Sequence, residues 1–336
     1  METLLFAINA VFPILLLILL GYYLKRINFL TDDFLKIGNK FVFRVGLPFL
    51  LFYNIYNIDS LNNINWSVVI YSELIVIFAF LIGIILVKLT IKEEKQKGVI
   101  LQCVVRSNYA IIGIPLALSL GGESAVAFAS VLSAVAVPMF NVLAVIILSH
   151  YSSEKEKGAV KKTLLRTVRN PLIIGVFAGI AVLFIRSFIP IGAEGLPVFT
   201  IENSLPFLYK ALKNLAGVAS PLALVVLGAR FDFGAVGNLK KEIIIGTLMR
   251  VVMAPVIGLG LAILLSECTE FFNFTPVEYP AFISLFATPT AVSSAVMVGE
   301  IGGDEQLAGQ LVVWTSVVSM ASIYLIVFAM KSFAII

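Results

Sequence analysis

Two short stretches carry side chains able to hold a small molecule inside an otherwise apolar chain. The first, SNYAIIGIPLALSLGG at 107–122, contains Asn108, Gly113 and Pro115. The second, FATPTAVSSAVMVGE at 286–300, contains Thr288, Pro289, Thr290 and Ser293. Asn141, close after Pro138, adds a second amide. The chemistry these residues offer is non-covalent. An amide presents N–H donors without charge, and hydroxyls add directional bonds. Proline removes a backbone donor and frees a carbonyl about one turn earlier. A helix interrupted there restarts with unpaired N–H groups and a positive partial charge. Such a break attracts an anion. Taken alone, either stretch also fits an ordinary proline kink packed by its neighbours.

Four ionisable residues lie within apolar runs, where a charge is costly and a functional role is the default expectation. Arg44, Arg106 and Arg250 each stand about eight residues in from the same side, about 12 Å deep at the helical rise. They form a positive vestibule for anions or snorkel towards headgroups. Glu73 is too short to reach water easily and is suited to carrying a proton, with Arg44 as its natural partner; a structural ion pair or a rim residue is the competing role.

These residues need elements to position them. Ten apolar runs have the length that a bilayer core of about 30 Å requires: roughly 4–24, 34–57, 66–88, 98–119, 124–149, 168–188, 205–230, 241–265, 278–299 and 306–331. They are continuously apolar, so helices are expected and not barrel strands. Hydrophobic residues make up 60% of the 336 and charged residues 13%, which excludes an ordinary soluble domain. No cleavable leader is expected, because the first apolar run has no basic segment before it. Of the 24 lysines and arginines, 17 fall in the connections after spans 1, 3, 5 and 7, and four on the other side. That bias puts both termini outside and the connection 151–167 in the cytoplasm.

The two halves, 1–150 and 168–336, look alike. Gly121-Gly122-Glu123 and Gly302-Gly303-Asp304 are 181 residues apart, and the pairs Pro13/Gly21 and Pro171/Gly179 are 158 apart. Five spans per half force opposite orientations, so the expected fold is an all-α membrane protein of two inverted five-helix repeats. Spans 4 and 9 are then the broken, crossing helices, with breaks at Gly113-Pro115 and Thr288-Pro289. An offset of 181 sets Pro289 opposite Asn108, and a one-residue slip sets Pro289-Thr290 opposite Ser107-Asn108. Inverted repeats with paired breaks are the sequence mark of secondary transporters with a site near the midplane.

With those motifs in hand, the chain resembles the auxin efflux carrier family along its whole length. The carrying segments are NYAIIGIPLALSLGG, AVPMFNVLAVIILS and ATPTAVSSAVMVGEIGG. The resemblance implies carriage of an organic carboxylate, as in bacterial malate or malonate permeases and plant auxin exporters. It also implies a homodimer, and it makes Asn108 the residue that holds the substrate carboxylate. Ser107 departs from the plant pattern, which has proline there, and the long plant cytoplasmic loop is missing.

The expected function is therefore alternating-access carriage of a small organic anion across the plasma membrane, with proton or sodium coupling. A cation/proton exchanger or sodium-coupled symporter of similar architecture is the alternative, disfavoured because spans 4, 5 and 9 contain no aspartate. No enzymatic motif, His/Cys cluster or soluble domain is present, so neither catalysis, a cofactor, a metal nor a nucleic-acid partner is expected. Cys103, Cys268 and His150 form no motif.

Overall fold

The computed structural model describes residues 2–57, 66–151, 169, 171–186, 188–190, 198–231 and 234–336. Beyond Tyr151, the expected connection at 151–167 lies outside them. Every regular element among the described residues is a helix, and the one extended contact is an isolated bridge. The helices are α1 (Glu2–Arg26), α2 (Asp32–Phe41), α3 (Leu47–Tyr56), α4 (Trp66–Thr90) and α5 (Glu94–Val105). Then follow α6 (Ile114–Tyr151), α7 (Pro171–Arg186), α8 (Pro206–Arg230), α9 (Lys240–Leu248) and α10 (Ala254–Cys268). Last come α11 (Tyr279–Phe286), α12 (Ser293–Ile301) and α13 (Glu305–Ser332). Among the described residues five segments are long and apolar enough to cross a membrane: Trp66–Thr90, Val131–Tyr151, Pro206–Arg230, Lys240–Cys268 and Glu305–Ser332.

α4 shows why lipid is the solvent. Its inner face buries Tyr71, Ile75, Ala79 and Val87. Its outer face exposes Leu74, Phe78, Leu81 and Ile85, at helical spacing. A helix apolar all round has no face for water.

Three π-helical turns share one cause. Val42–Gly46, Tyr109–Gly113 and Met249–Met253 each precede a dipeptide ending in proline: Leu47-Pro48, Ile114-Pro115 and Ala254-Pro255. At each, the residue before proline donates its N–H five residues back, to Val42, Tyr109 or Met249. The wider turn absorbs the missing donor and the ring's clash with the preceding carbonyl, so the chain stays helical through the proline. α6 is interrupted instead at Gly122, where φ is 65° and the absent Cβ removes the penalty. That is the junction expected between the fourth and fifth apolar runs.

The helices pack in two groups. One holds α1, α2, α3, α7 and α8, with α1 against α8 and α3 against α7 as its main contacts. The other holds α4, α5, α6 and α9 to α13. α1 and α8 cross backbone to backbone. A Cβ on Gly21 would lie 2.1 Å from the Val225 carbonyl oxygen, and one on Gly228 1.9 Å from that of Ile18. Small residues permit this approach, and dispersion then does the work that the hydrophobic effect cannot do in lipid. The groups touch mainly through α1 and α13, through α12, and through the flank of α6.

Candidate binding site at the crossing of two unwound segments

Between α5 and the π-turn at Tyr109, and between α11 and α12, the chain is unwound at Arg106–Asn108 and Ala287–Val292. The two segments cross as an antiparallel bridge between Ser107 and Thr290. The Asn108 N–H donates to Pro289 O at 2.8 Å, and the Ala291 N–H to Arg106 O at 3.0 Å. Thr290 Oγ1 also donates to Arg106 O, at 3.2 Å, and Thr290 N–H donates to the Thr315 hydroxyl of α13. Ser107 Oγ and Thr288 Oγ1 are 2.5 Å apart. In hydrocarbon each unpaired backbone group costs several kcal/mol, so irregular backbone survives only where protein satisfies it. The bridge does that here.

The break of the first stretch is therefore at Arg106–Asn108 and not at Gly113-Pro115. The π-turn keeps Gly113 and Pro115 helical. Gly113 is buried, with the Tyr109 ring 2.6 Å from where a Cβ would stand, and Pro115 is exposed. In the second stretch the break includes Thr288, Pro289 and Thr290.

Two buried arginines flank the crossing with different partners. Arg250 spends its whole guanidinium on backbone carbonyls: Nε on Thr288 O at 2.8 Å, Nη1 on Val104 O at 2.7 Å, Nη2 on Leu285 O at 3.0 Å. Val104 and Leu285 lie in the last turns of α5 and α11, where carbonyls lack intrahelical partners. One cation thus caps the negative ends of both helices. Arg106 bonds through Nη2 to Asn141 Oδ1 at 2.7 Å and through Nη1 to Met297 Sδ at 3.2 Å. Asn141 in turn donates to Val137 O at 2.7 Å.

A cavity of about 60 Å³ opens at the crossing, lined by Arg106, Asn108, Tyr109, Asn141, Ser220 and Ser293 among others. Its apolar wall is Leu47, Leu50, Leu51, Val137 and Phe140. The Nδ2 of Asn108 is buried and has no hydrogen-bond partner among the described residues. The following helical segments, from Tyr109 and from Ser293, begin at the cavity. Positive helix ends therefore face the cavity while the negative ends face Arg250. Ala223 also lines a second, larger cavity of about 710 Å³ that reaches Lys36, Lys40, Arg230, Glu300 and Glu305. At its rim Asn39 donates to Glu300 at 3.0 Å, and Arg230 pairs with Glu305 at 2.5 Å. Asp32 lies there too, its carboxyl held below the usual value by the Lys25 ammonium 2.6 Å away.

Of the residues singled out from sequence, Asn108, Asn141, Ser293 and Arg106 meet in the central cavity. Thr288, Pro289 and Thr290 are buried in the crossing itself and are not part of its wall. The three arginines share no surface: Arg44 is exposed, Arg106 lines the cavity and Arg250 caps helix ends. Glu73 stands apart on α4, both carboxylate oxygens buried without a partner among the described residues. Sequence reasoning missed Ser107, Met297, Ser220 and Thr315. Ser107 alone carried a signal, since it lies 181 residues before Thr288, the offset that relates the glycine pairs.

The profile of a family described as membrane transport protein matches residues 6–327. An uncharacterized transporter of Methanocaldococcus jannaschii is 26% identical over 86% of this chain and 87% of its own length. A Rhizobium meliloti protein named "Putative malonate transporter" is 24% identical over 97% of this chain and 96% of its own. The mouse lysosomal cholesterol signaling protein is 26% identical over 82% of this chain but only 32% of its own.

Proposed function

We propose that this chain, which belongs to the membrane transport protein (auxin efflux carrier) family, is a secondary transporter that carries a small organic carboxylate by alternating access. The observation that carries the reading is the unpartnered, buried Nδ2 of Asn108 in a cavity onto which two helix N-termini open. A buried donor without a partner costs about 1–3 kcal/mol, and a ligand acceptor repays it. The cavity's small size favours a short acid over an aromatic one, in keeping with the malonate named for the Rhizobium relative.

The architecture that fits is two inverted repeats of five spans, 1–150 and 168–336, in the plasma membrane. Four observations support it. Ser107 and Thr288, equivalent at an offset of 181, touch each other as residues on a two-fold axis do. α1 packs on α8 while α7 packs on α3, the exchange such an axis produces. Each glycine pair supplies one positive φ, Gly122 at 65° and Gly302 at 90°, one residue out of register at the offset of 181. Both unwound segments fall in the spans expected to cross. Both termini are then outside, and the larger cavity with Lys36, Lys40 and Arg230 opens to the cytoplasm. A homodimer follows from the family resemblance, and Glu73 is the candidate for proton coupling.

The test is Asn108→Ala. It removes the amide donors and leaves the Asn108 backbone N–H, which makes the bridge bond, in place. A hydrogen bond to a charged group is worth about 1.5–3 kcal/mol, so malonate affinity should fall roughly 10- to 150-fold. Melting without ligand should stay near that of wild type. Unchanged malonate binding by this variant would place the substrate elsewhere.

A further inference from the structure

We propose that Arg106 is the specificity-determining charge of the central cavity: it selects an ionised carboxylate over a neutral molecule of the same shape. The inference rests on the transport reading above and assigns the residue that recognises the substrate's charge. It starts from the contrast between the two buried arginines. Arg250 meets three backbone carbonyls, two of them at negative helix ends, so its positive charge is compensated where it stands. Arg106 is 4% exposed, and among the described residues its guanidinium is bonded only to an amide oxygen and a thioether sulfur. Neither partner carries a charge. No ion pair among the described residues includes Arg106.

A cation in low dielectric is strongly disfavoured without an opposite charge. The cavity gives the missing charge a place to sit. Arg106 lines the cavity beside Asn108, whose Nδ2 is buried and unpartnered. A carboxylate there satisfies both at once: one oxygen accepts from the amide, and the group's charge offsets the guanidinium. Asn141 fixes the guanidinium at the cavity wall through a 2.7 Å bond and, being neutral, leaves its charge available. Met297 is doubly engaged, since Gln102 Nε2 also donates to its sulfur at 3.3 Å. A soft, weak acceptor at this point holds the guanidinium without competing with the ligand.

The positive helix ends attract any anion or electron-rich group. Arg106 is the only full charge lining the cavity among the described residues. Removing it should therefore abolish discrimination between charged and neutral ligands, beyond any general weakening.

The experiment uses purified full-length protein in lipid nanodiscs and calorimetric titration with malonate and with malonamide, its neutral diamide. Wild type should bind malonate at least about tenfold more tightly than malonamide. Arg106→Gln should lose about 10- to 100-fold in malonate affinity, leave malonamide affinity near the wild-type value, and so erase the preference. Asn141→Asp is the second variant. It keeps size and shape, places an internal carboxylate on the guanidinium and should cut malonate affinity at least about tenfold with the protein still folded. Arg106→Lys should recover part of the preference. Wild type that binds malonate and malonamide equally overturns the inference without any variant. So does malonate binding at wild-type strength in folded Arg106→Gln or Asn141→Asp. Those results leave the carboxylate-transport reading standing. Wild type that binds none of malonate, succinate or acetate removes that reading and this inference together.

Discussion

Replacing Arg250 with methionine should destabilise the protein more than any change at the cavity wall. The side chain is 2% exposed and holds Val104 O, Leu285 O and Thr288 O at 2.7, 3.0 and 2.8 Å. Methionine fills much of the same volume and donates nothing, so three buried carbonyls lose their partner. At about 1–3 kcal/mol for each orphaned group the loss is roughly 3–9 kcal/mol. Against this, removing the guanidinium recovers its desolvation penalty, itself several kcal/mol. The net expectation is a loss of about 2–5 kcal/mol. Arg250→Lys should fall between, because one ammonium cannot reproduce a planar fork aimed at carbonyls from two helices. The assay is thermal unfolding of purified protein in one detergent, followed by intrinsic fluorescence, with malonate titrated into whatever remains folded. Both variants should melt well below wild type, methionine lower than lysine. A methionine variant that melts with wild type would refute the idea that one arginine caps both broken helices.

Two further perturbations test other parts of the structure. Gly228→Val should force α1 and α8 apart, because even a Cβ would sit 1.9 Å from the Ile18 carbonyl oxygen; yield and melting temperature should both drop, whereas Gly237→Val, in open space, should be silent. Glu73→Gln should flatten the pH profile of malonate uptake into liposomes while melting is unchanged; an unaltered profile would return the unpartnered carboxylate to a structural role.

Much of the fold was legible because lipid leaves few choices. Continuous apolar runs must be helices, and α4 and α13 follow their expected spans to within a few residues. The break at Arg106 was not legible, for a definite reason. Local sequence points to Pro115, and at Pro115, Pro48 and Pro255 alike the chain answers with a π-turn and stays helical. Unwinding at 106–108 depends instead on donors and acceptors at 289–291, brought in from the other half of the chain. The same limit applies to the arginines. Depth along a helix can be counted, and Arg44, Arg106 and Arg250 were counted to one level. Direction around the helix decides which is exposed, which lines a cavity and which caps carbonyls, and it depends on neighbours such as Asn141 and Thr288.

The distribution of polar groups around the cavity bears on how transport would work under the proposed reading. Arg106, Asn108, Asn141 and Ser293 all belong to the helix group of α4 to α6 and α9 to α13, and they are tied together by the crossing and by the Arg106–Asn141 bond. The other group contributes Leu47, Leu50, Leu51 and Ala223, with Ser220 its one polar side chain at the wall. A bound acid is therefore held by one group and merely shielded by the other. Sliding the groups past each other would carry the acid across an apolar wall without breaking its hydrogen bonds, and release would need only water at the far side. The contacts that would have to part are those between the groups. At the rim of the larger cavity two of them are polar and readily rehydrated, Asn39 to Glu300 and Arg230 to Glu305. The ion pair, Arg230 to Glu305, is of the partly exposed kind worth about 0–1 kcal/mol, and the Asn39 bond is a single amide–carboxylate hydrogen bond. They can bias which face is open without locking it, which is what a carrier that must visit both faces requires.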